Sequence, residues 1–177
     1  MISESVDSSP MRVYIPATLP TLRRLVESGE LVPVAGTAFA VTPMLRESYA
    51  AGDTEELEYA AMNDAARASL RLLAAELDGD SAVLPRRVVV AADVERIRLR
   101  ADLDDAAVTV GAPIPLSAVA AVHVDLAEAE DAVRAAAAVV DAADLGDPDA
   151  EFVLGDAEDH EMAWYATQEI PFLLELL

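Results

Sequence analysis

The chain has 177 residues, of which 33 are acidic and 12 basic, so it carries a formal net charge of −21, yet 54% of its positions are hydrophobic. This much apolar sequence predicts a folded core under an anionic surface, because disordered acidic chains lack the residues to build a core. Direct binding to DNA or RNA is disfavoured, since phosphates are neutralised by clustered cations and repelled by an anionic surface.

Missing residue types exclude several kinds of chemistry. The chain has no cysteine, which excludes disulfides, thiolate catalysis and cysteine-ligated metals. All 12 basic residues are arginines, so neither a phosphate-binding lysine loop nor a lysine Schiff base can form. No glycine-rich nucleotide motif or serine-nucleophile motif occurs in the sequence. We therefore assign no catalytic residue, no metal ligand and no cofactor.

The first ten residues differ in character from the rest. Positions 1–10 are polar and rich in serine, and they contain no apolar leader, so we predict a disordered extension followed by one domain over 11–177. No apolar run approaches the length of about 18 residues that a membrane-spanning helix needs. We therefore expect a cytoplasmic protein that does not insert into membranes.

The first half of the domain begins as strand then helix. Positions 11–16 are apolar and rich in β-formers, which predicts a strand. Thr18 then caps a helix that Gly29 ends. A second strand over 36–41 is followed by a short helix that begins at Thr42-Pro43, and a long helix runs from a capping box at Asp53 to about residue 77.

The second half is predicted to add most of the strands. A valine run over 87–92 is typical of a strand covered on both faces, and further strands are predicted within 97–110 and at 119–124. Asp125 and Glu128 form a capping box that opens a helix ended by Gly146 and Pro148, and Pro171 begins a short C-terminal helix. The expected fold is α+β, a mixed α/β sandwich in which about three main helices and the short C-terminal helix pack on a mixed sheet of four to five strands.

The best candidate for a binding surface lies near the C-terminus. His160 follows several carboxylates, an arrangement that suits either a hard-cation site or an imidazole with a tuned pKa, and the alternative is a solvated acidic loop. Aromatic residues with polar groups are favoured at ligand sites and interfaces. The predicted binding residues are His160, Glu161, Trp164, Tyr165, Gln168 and Glu169. The alternative is that Trp164 and Tyr165 only anchor the C-terminal helix on the core.

Four segments carry a resemblance to a known family. They are Met-Arg-Val-Tyr-Ile-Pro-Ala-Thr at 11–18, Gly-Thr-Ala-Phe-Ala-Val-Thr-Pro at 36–43, Ala-Val-His-Val-Asp at 121–125 and Ala-Trp-Tyr-Ala-Thr-Gln-Glu-Ile-Pro-Phe-Leu-Leu-Glu-Leu at 163–176. With them the chain resembles a family of small uncharacterised proteins, a domain of unknown function, from high-GC actinobacteria. The resemblance implies a bacterial protein whose domain starts at Met11, and it carries no catalytic residues over to this chain.

The favoured function is a non-enzymatic binding or regulatory module in the cytoplasm. Four leucines within the last five positions predict that the C-terminus is buried against the sheet or another subunit, so we expect a homo-oligomer or a protein partner. One alternative is a small hydrolase or metal-dependent enzyme that uses His160 and its neighbouring carboxylates. Another is an acidic decoy whose ordered carboxylates take the place of nucleic-acid phosphates for a basic partner.

Overall fold

A computed structural model describes residues 9–49 and 51–177. The predicted disordered extension lies outside these residues over positions 1–8. The described strands are β1 (Met11–Ala17), β2 (Glu30–Leu31), β3 (Thr37–Ala40), β4 (Val88–Val94), β5 (Ile97–Leu99), β6 (Ala107–Val110), β7 (Ile114–Pro115), β8 (Val119–Val124) and β9 (Ala163–Ala166). The described α-helices are α1 (Leu19–Ser28), α2 (Pro43–Ser48), α3 (Thr54–Gly79), α4 (Glu130–Asp144), α5 (Pro148–Glu158) and α6 (Ile170–Glu175).

Seven of the strands form one sheet in the order β5-β6-β3-β1-β4-β8-β9, and β2 pairs with β7 separately. Every pairing in both sheets is antiparallel. The α+β class is therefore confirmed, but the expected mixed sheet of four to five strands is wrong. The difference arises because the segment predicted as one strand is a hairpin of β5 and β6, and because β9 was not predicted.

The central strands are covered on both faces, as the valine run predicts. In β1, Val13 and Ile15 belong to the core cluster that includes α1 and α6, while Tyr14 points to the opposite face and packs with α3. The same alternation in β4 sends Val88 and Val90 to one face and Val89 to the other. The molecule therefore has α1 and α6 on one side of the sheet and α3 on the other, with α4 and α5 packed on the second half of α3.

Most predicted helix ends are confirmed. Gly29 adopts a left-handed conformation with φ 77° at the end of α1, which a residue with a Cβ would adopt at a cost. The Asp53 carboxylate accepts a hydrogen bond from the backbone N–H of Glu56 at 2.8 Å and starts α3. The Thr42 hydroxyl accepts from the N–H of Leu45 at 3.0 Å and starts α2.

The predicted capping box at Asp125 is wrong. Asp125 is fully buried and accepts three hydrogen bonds from Arg87, two from the guanidinium at 2.7 and 2.8 Å and one from the backbone N–H at 2.8 Å. The helix instead begins after Ala129, without a side-chain cap. The ion pair outweighs the cap because an unpaired buried charge costs several kcal/mol, whereas a missing helix cap costs about 1 kcal/mol.

The acidic segment after α4 is helical over most of its length. Asp147 accepts hydrogen bonds from the N–H groups of Asp149 and Ala150 and starts α5. Further along, α6 buries Ile170 and Leu173, whereas Leu176 is 85% exposed. Burial of this terminus against another subunit stays a prediction. Among the helices of the described residues, none has the length and apolar character needed to cross a membrane.

Candidate functional site

Clefts lie on both flanks of α3, which packs on the central strands β1, β3 and β4. The first cleft lies between α3 and β6, and we call it the acid-pair cleft. The second lies between α3 and β9, and we call it the Trp164 cleft.

The acid-pair cleft has a volume of about 710 Å³ and is lined by both apolar and charged side chains. Phe39, Ala68, Leu72 and Leu103 supply much of its apolar lining. The charged residues are Asp64, Arg67 and Arg71 of α3, Asp144 at the end of α4, and Asp104 in the loop between β5 and β6. A concave, mainly apolar space with a few converging polar groups is typical of sites for small molecules.

The carboxyl groups of Asp64 and Asp104 lie close to each other in this cleft. Asp104 is held in place because its carboxylate accepts from the N–H of Ala106 at 3.0 Å. Burial of Asp64, and then the charge of Asp104 and the hydrogen bond between them, raise the pKa of Asp64 from 3.8 to about 7. Two carboxylates this close cannot both ionise cheaply, so near neutral pH the pair shares a proton for part of the time.

The two guanidinium groups of this cleft are already engaged by other carboxylates. Arg71 donates two hydrogen bonds to Asp144 at 2.6 and 2.7 Å. Arg67 donates to Glu151 of α5 at 2.8 Å and lies 3.2 Å from Asp144. Hydrogen bonds from Arg71, and less strongly from Arg67, keep the pKa of Asp144 below its usual value. Asp64 and Asp104 make no ion pair with any cation among the described residues.

The rim of the acid-pair cleft carries exposed apolar side chains and an unusual backbone conformation. Val34 lines the cleft and is 61% exposed. Its neighbour Ala35 has φ 54°, a left-handed conformation that costs an alanine about 1–2 kcal/mol. Gly36 follows with φ 70°. The fold thus holds a strained turn at the mouth of the cleft.

The Trp164 cleft gathers three of the residues predicted from sequence. His160, Glu161 and Trp164 line a space of about 230 Å³ together with His123 of β8, and Tyr59 and Met62 of α3. Trp164 lies opposite His123 in the β8–β9 pairing, which brings both side chains to the α3 face. Burial lowers the pKa of His123, so this imidazole is neutral at neutral pH.

The other three predicted binding residues lie elsewhere. Tyr165 pairs with Val122 and packs against the core on the α1 side of the sheet. Gln168 and Glu169 are exposed in the turn after β9, where the Glu169 carboxylate accepts from the N–H of Ala166 at 3.3 Å. The alternative that Trp164 and Tyr165 both anchor the C-terminal helix agrees with the packing of Tyr165 against the core but not with Trp164, which is 61% exposed.

His160 is half-buried, and its backbone carbonyl accepts a hydrogen bond from Arg87 at 2.9 Å. The preceding acidic residues belong to α5 and its last turn and not to a solvated loop. Within residues 9–49 and 51–177, no group of three or more histidine, aspartate or glutamate side chains is arranged to hold a metal ion.

Sequence reasoning did not single out the acid-pair cleft. Its α3 residues at positions 64, 67 and 71 follow helical spacing and lie beside the predicted apolar stripe. This spacing was the one signal in the sequence for the cleft. It did not stand out because 33 acidic residues allow many carboxylate pairs. In addition, Asp104, the partner of Asp64, comes from a loop far along the chain.

Comparison with known proteins places the chain in a family. A family model described as a family of unknown function, DUF6912, matches residues 11–174. The chain belongs to that family. The match confirms the resemblance seen at the four sequence segments and leaves an actinobacterial source a prediction. Neither curated proteins nor solved structures gave a significant match to the chain.

Proposed function

We propose that the protein is a non-enzymatic binding module whose acid-pair cleft takes a small organic cation with an apolar body. The observation that carries this proposal is the Asp64–Asp104 pair, which stands in a largely apolar cleft without a cation of its own among the described residues. A cationic ligand would supply the positive charge that this carboxyl pair does not receive from an ion pair in the protein.

A cation is favoured over an anion by the charges that surround the pair. Arg67 and Arg71 are paired with Asp144 and Glu151, and their charges lower the pKa of Asp64 by less than burial and Asp104 raise it. An ammonium group that donates to Asp64 and Asp104 would make charge-assisted hydrogen bonds, which are about twice as strong as neutral ones. The incoming positive charge would displace the shared proton.

The apolar lining of the cleft favours a ligand whose ammonium group carries an apolar ring or chain. A volume of about 710 Å³ falls within the usual range of about 300–1,000 Å³ for small-molecule sites. Leu72 and Phe39 supply apolar surface inside the cleft, and the exposed Leu103 and Val34 supply it at the rim. A ring or alkyl chain attached to the ammonium group would lie against them and lose its contact with water.

Isothermal titration with phenethylamine tests this function directly. Because burial and Asp104 raise the pKa of Asp64, binding of the ammonium form should tighten as pH rises from about 5 to about 8. Titrations in buffers of different ionisation enthalpy should show that a fraction of a proton is released for each ligand bound, and that this fraction falls as pH rises.

Two kinds of control separate the cleft from nonspecific attraction to an acidic protein. Phenylpropanoic acid and phenylpropanol have the same ring with an anionic or a neutral end, and both should bind far more weakly. Asp64→Asn should abolish the proton release, whereas Asp156→Asn, at an exposed carboxylate of α5, should leave it unchanged. Equal binding of the acid and the amine, or tight binding without pH dependence, would show that the proposed function is wrong.

Self-association through the leucine-rich C-terminus, an enzyme built on His160 and an acidic decoy for a basic partner stay predictions from sequence. The acid-pair cleft requires none of them. Light scattering after size exclusion would test the first, and comparison of lysate capture at low and high salt would test the third.

A further inference from the structure

The second cleft presents two exposed aromatic rings close to two carboxylates. Trp164 is 61% exposed and Tyr59 is 58% exposed, and both line the Trp164 cleft. Glu158 and Glu161 line the same cleft and form no ion pair with any cation in the described part of the chain. An exposed tryptophan is uncommon, since such large apolar rings are usually covered.

The arginine that lines this cleft is already paired with a carboxylate. The Arg87 guanidinium is 2.7 Å from Asp125 and also donates to the His160 carbonyl, so it contributes no free positive charge. Burial lowers the pKa of His123, which keeps that side chain neutral. Glu158 and Glu161 therefore supply two carboxylates without a paired cation for a ligand to contact.

Aromatic faces and carboxylates together select a guanidinium group. Arginine stacks its planar guanidinium on tryptophan or tyrosine and can donate to a carboxylate from its edge at the same time. Lysine, with a compact and strongly hydrated charge, gains less from the ring faces. The chemistry of the Trp164 cleft thus points to an arginine side chain.

The position of Trp164 on an edge strand indicates that the arginine belongs to an extended segment that pairs with β9. β9 is the last strand of the seven-stranded sheet and pairs only with β8 among the described residues. Apart from the Ala166 N–H, which already donates to Glu169, its backbone is able to pair with a strand added on the outer side. Side chains of such a strand would alternate between the two faces, and one of them would lie about 5 Å from Trp164 on the α3 face.

We propose that the β9 edge and the Trp164 cleft form a docking site for an extended, arginine-bearing segment of a partner protein. Charge complementarity identifies the occupant, because a chain with a net charge of −21 attracts basic segments over long range. A second copy of the chain carries the same charge and is repelled. The site is separate from the acid-pair cleft and does not depend on what binds there.

The probe is the peptide acetyl-Val-Arg-Val-Arg-Val-amide. Trp164 is the only tryptophan of the chain, so its fluorescence reports binding at this site directly. We expect a change in Trp164 emission that saturates with the peptide, and binding that weakens as salt is raised from about 0.05 to 0.5 M. The same peptide with glutamate in place of arginine should not bind, and methylation of its alternate backbone nitrogens should abolish strand addition.

Variants are compared by the anisotropy of a fluorescein-labelled form of the peptide. Trp164→Ala should weaken binding about tenfold and Glu161→Gln about threefold. Phe172→Ala removes another exposed aromatic ring, on α6 at the opposite face of the sheet, and should change nothing. Circular dichroism confirms that each variant is folded, and Glu161→Gln still tests the site if Trp164→Ala is not.

Three results would overturn the proposal. One is equal affinity of the arginine and glutamate peptides. Another is unchanged affinity in both Trp164→Ala and Glu161→Gln. The third is a dimer in light scattering that the Trp164→Ala variant dissociates, because the occupant of the edge would then be a second copy of the chain.

Discussion

Asp64→Asn should stabilise the protein at alkaline pH and have less effect at acidic pH. The native side chain sits in the acid-pair cleft, where burial and the charge of Asp104 oppose its ionisation. Asparagine has nearly the same shape, carries no charge and can still donate a hydrogen bond to Asp104. The substitution therefore removes an electrostatic cost and leaves the packing unchanged.

The size of this effect follows from the pKa of Asp64. The rise from 3.8 to about 7 corresponds to a cost of about 4 kcal/mol for the ionised form, at about 1.4 kcal/mol for each pKa unit. The folded state holds the proton that the unfolded chain has lost, so stability falls as pH rises from about 4 to about 7 and then levels off. Asp104 is exposed, and water screens the pair, so we expect about half of this, about 2 kcal/mol.

Urea unfolding followed by far-ultraviolet circular dichroism measures the difference. The advantage of Asp64→Asn over the native chain should grow by about 1 kcal/mol between about pH 5 and about pH 8. Asp156→Asn removes an exposed carboxylate from α5 and should show no such growth. If the advantage of Asp64→Asn is the same at both pH values, the carboxyl pair does not share a proton and the electrostatic reasoning fails.

Three further substitutions test other parts of the structure. Asp125→Asn should destabilise the fold by about 3–5 kcal/mol in urea unfolding, because it leaves the Arg87 guanidinium buried without a counter-charge; a loss below about 1 kcal/mol would mean that the pair is solvated. Ala35→Gly should stabilise the protein by up to about 1 kcal/mol, since φ 54° costs glycine nothing, and a lower thermal midpoint would contradict the left-handed turn. Ser69→Ala should cost about 1–3 kcal/mol, because the fully buried hydroxyl donates to one strand at 2.7 Å and accepts from another at 3.1 Å. Ser81→Ala, in an exposed turn, is its control and should be neutral.

Local patterns predicted the parts of the fold that local physics determines. Apolar runs gave β1 and β4 as strands, and Thr42, Asp53 and Gly29 marked helix ends where the structure has them. Each of these features depends on residues within about one turn of one another, which is the range over which propensity and capping act.

Features that depend on distant contacts were missed or misread. Asp125 looks like a helix cap in sequence but pairs with Arg87, a residue 38 positions away, and this tertiary contact overrides the local signal. β9 has only four residues and acquires its strand conformation from pairing with β8. The strand and the acid pair could not be predicted because their partners come together only after folding.

Rare residue types gave a usable signal in the sequence, whereas frequent residue types gave none. Trp164 is the only tryptophan and His160 one of two histidines, and the structure brings both to one cleft with Glu161. Whether these residues bind anything stays a prediction. Carboxylates are so frequent in this chain that Asp64 gives no signal in sequence, and only its burial beside Asp104 distinguishes it.

The buried Arg87–Asp125 contact also has a consequence for the alignment of the sheet. Val88 and Val90 of β4 face Val124 and Val122 of β8, so a slip of two residues would still place apolar side chains against apolar side chains. Such a slip would leave both a guanidinium and a carboxylate in the interior without each other, at a cost that far exceeds any loss of apolar contact. The Arg87–Asp125 pair therefore helps to fix the register of the β4–β8 pairing.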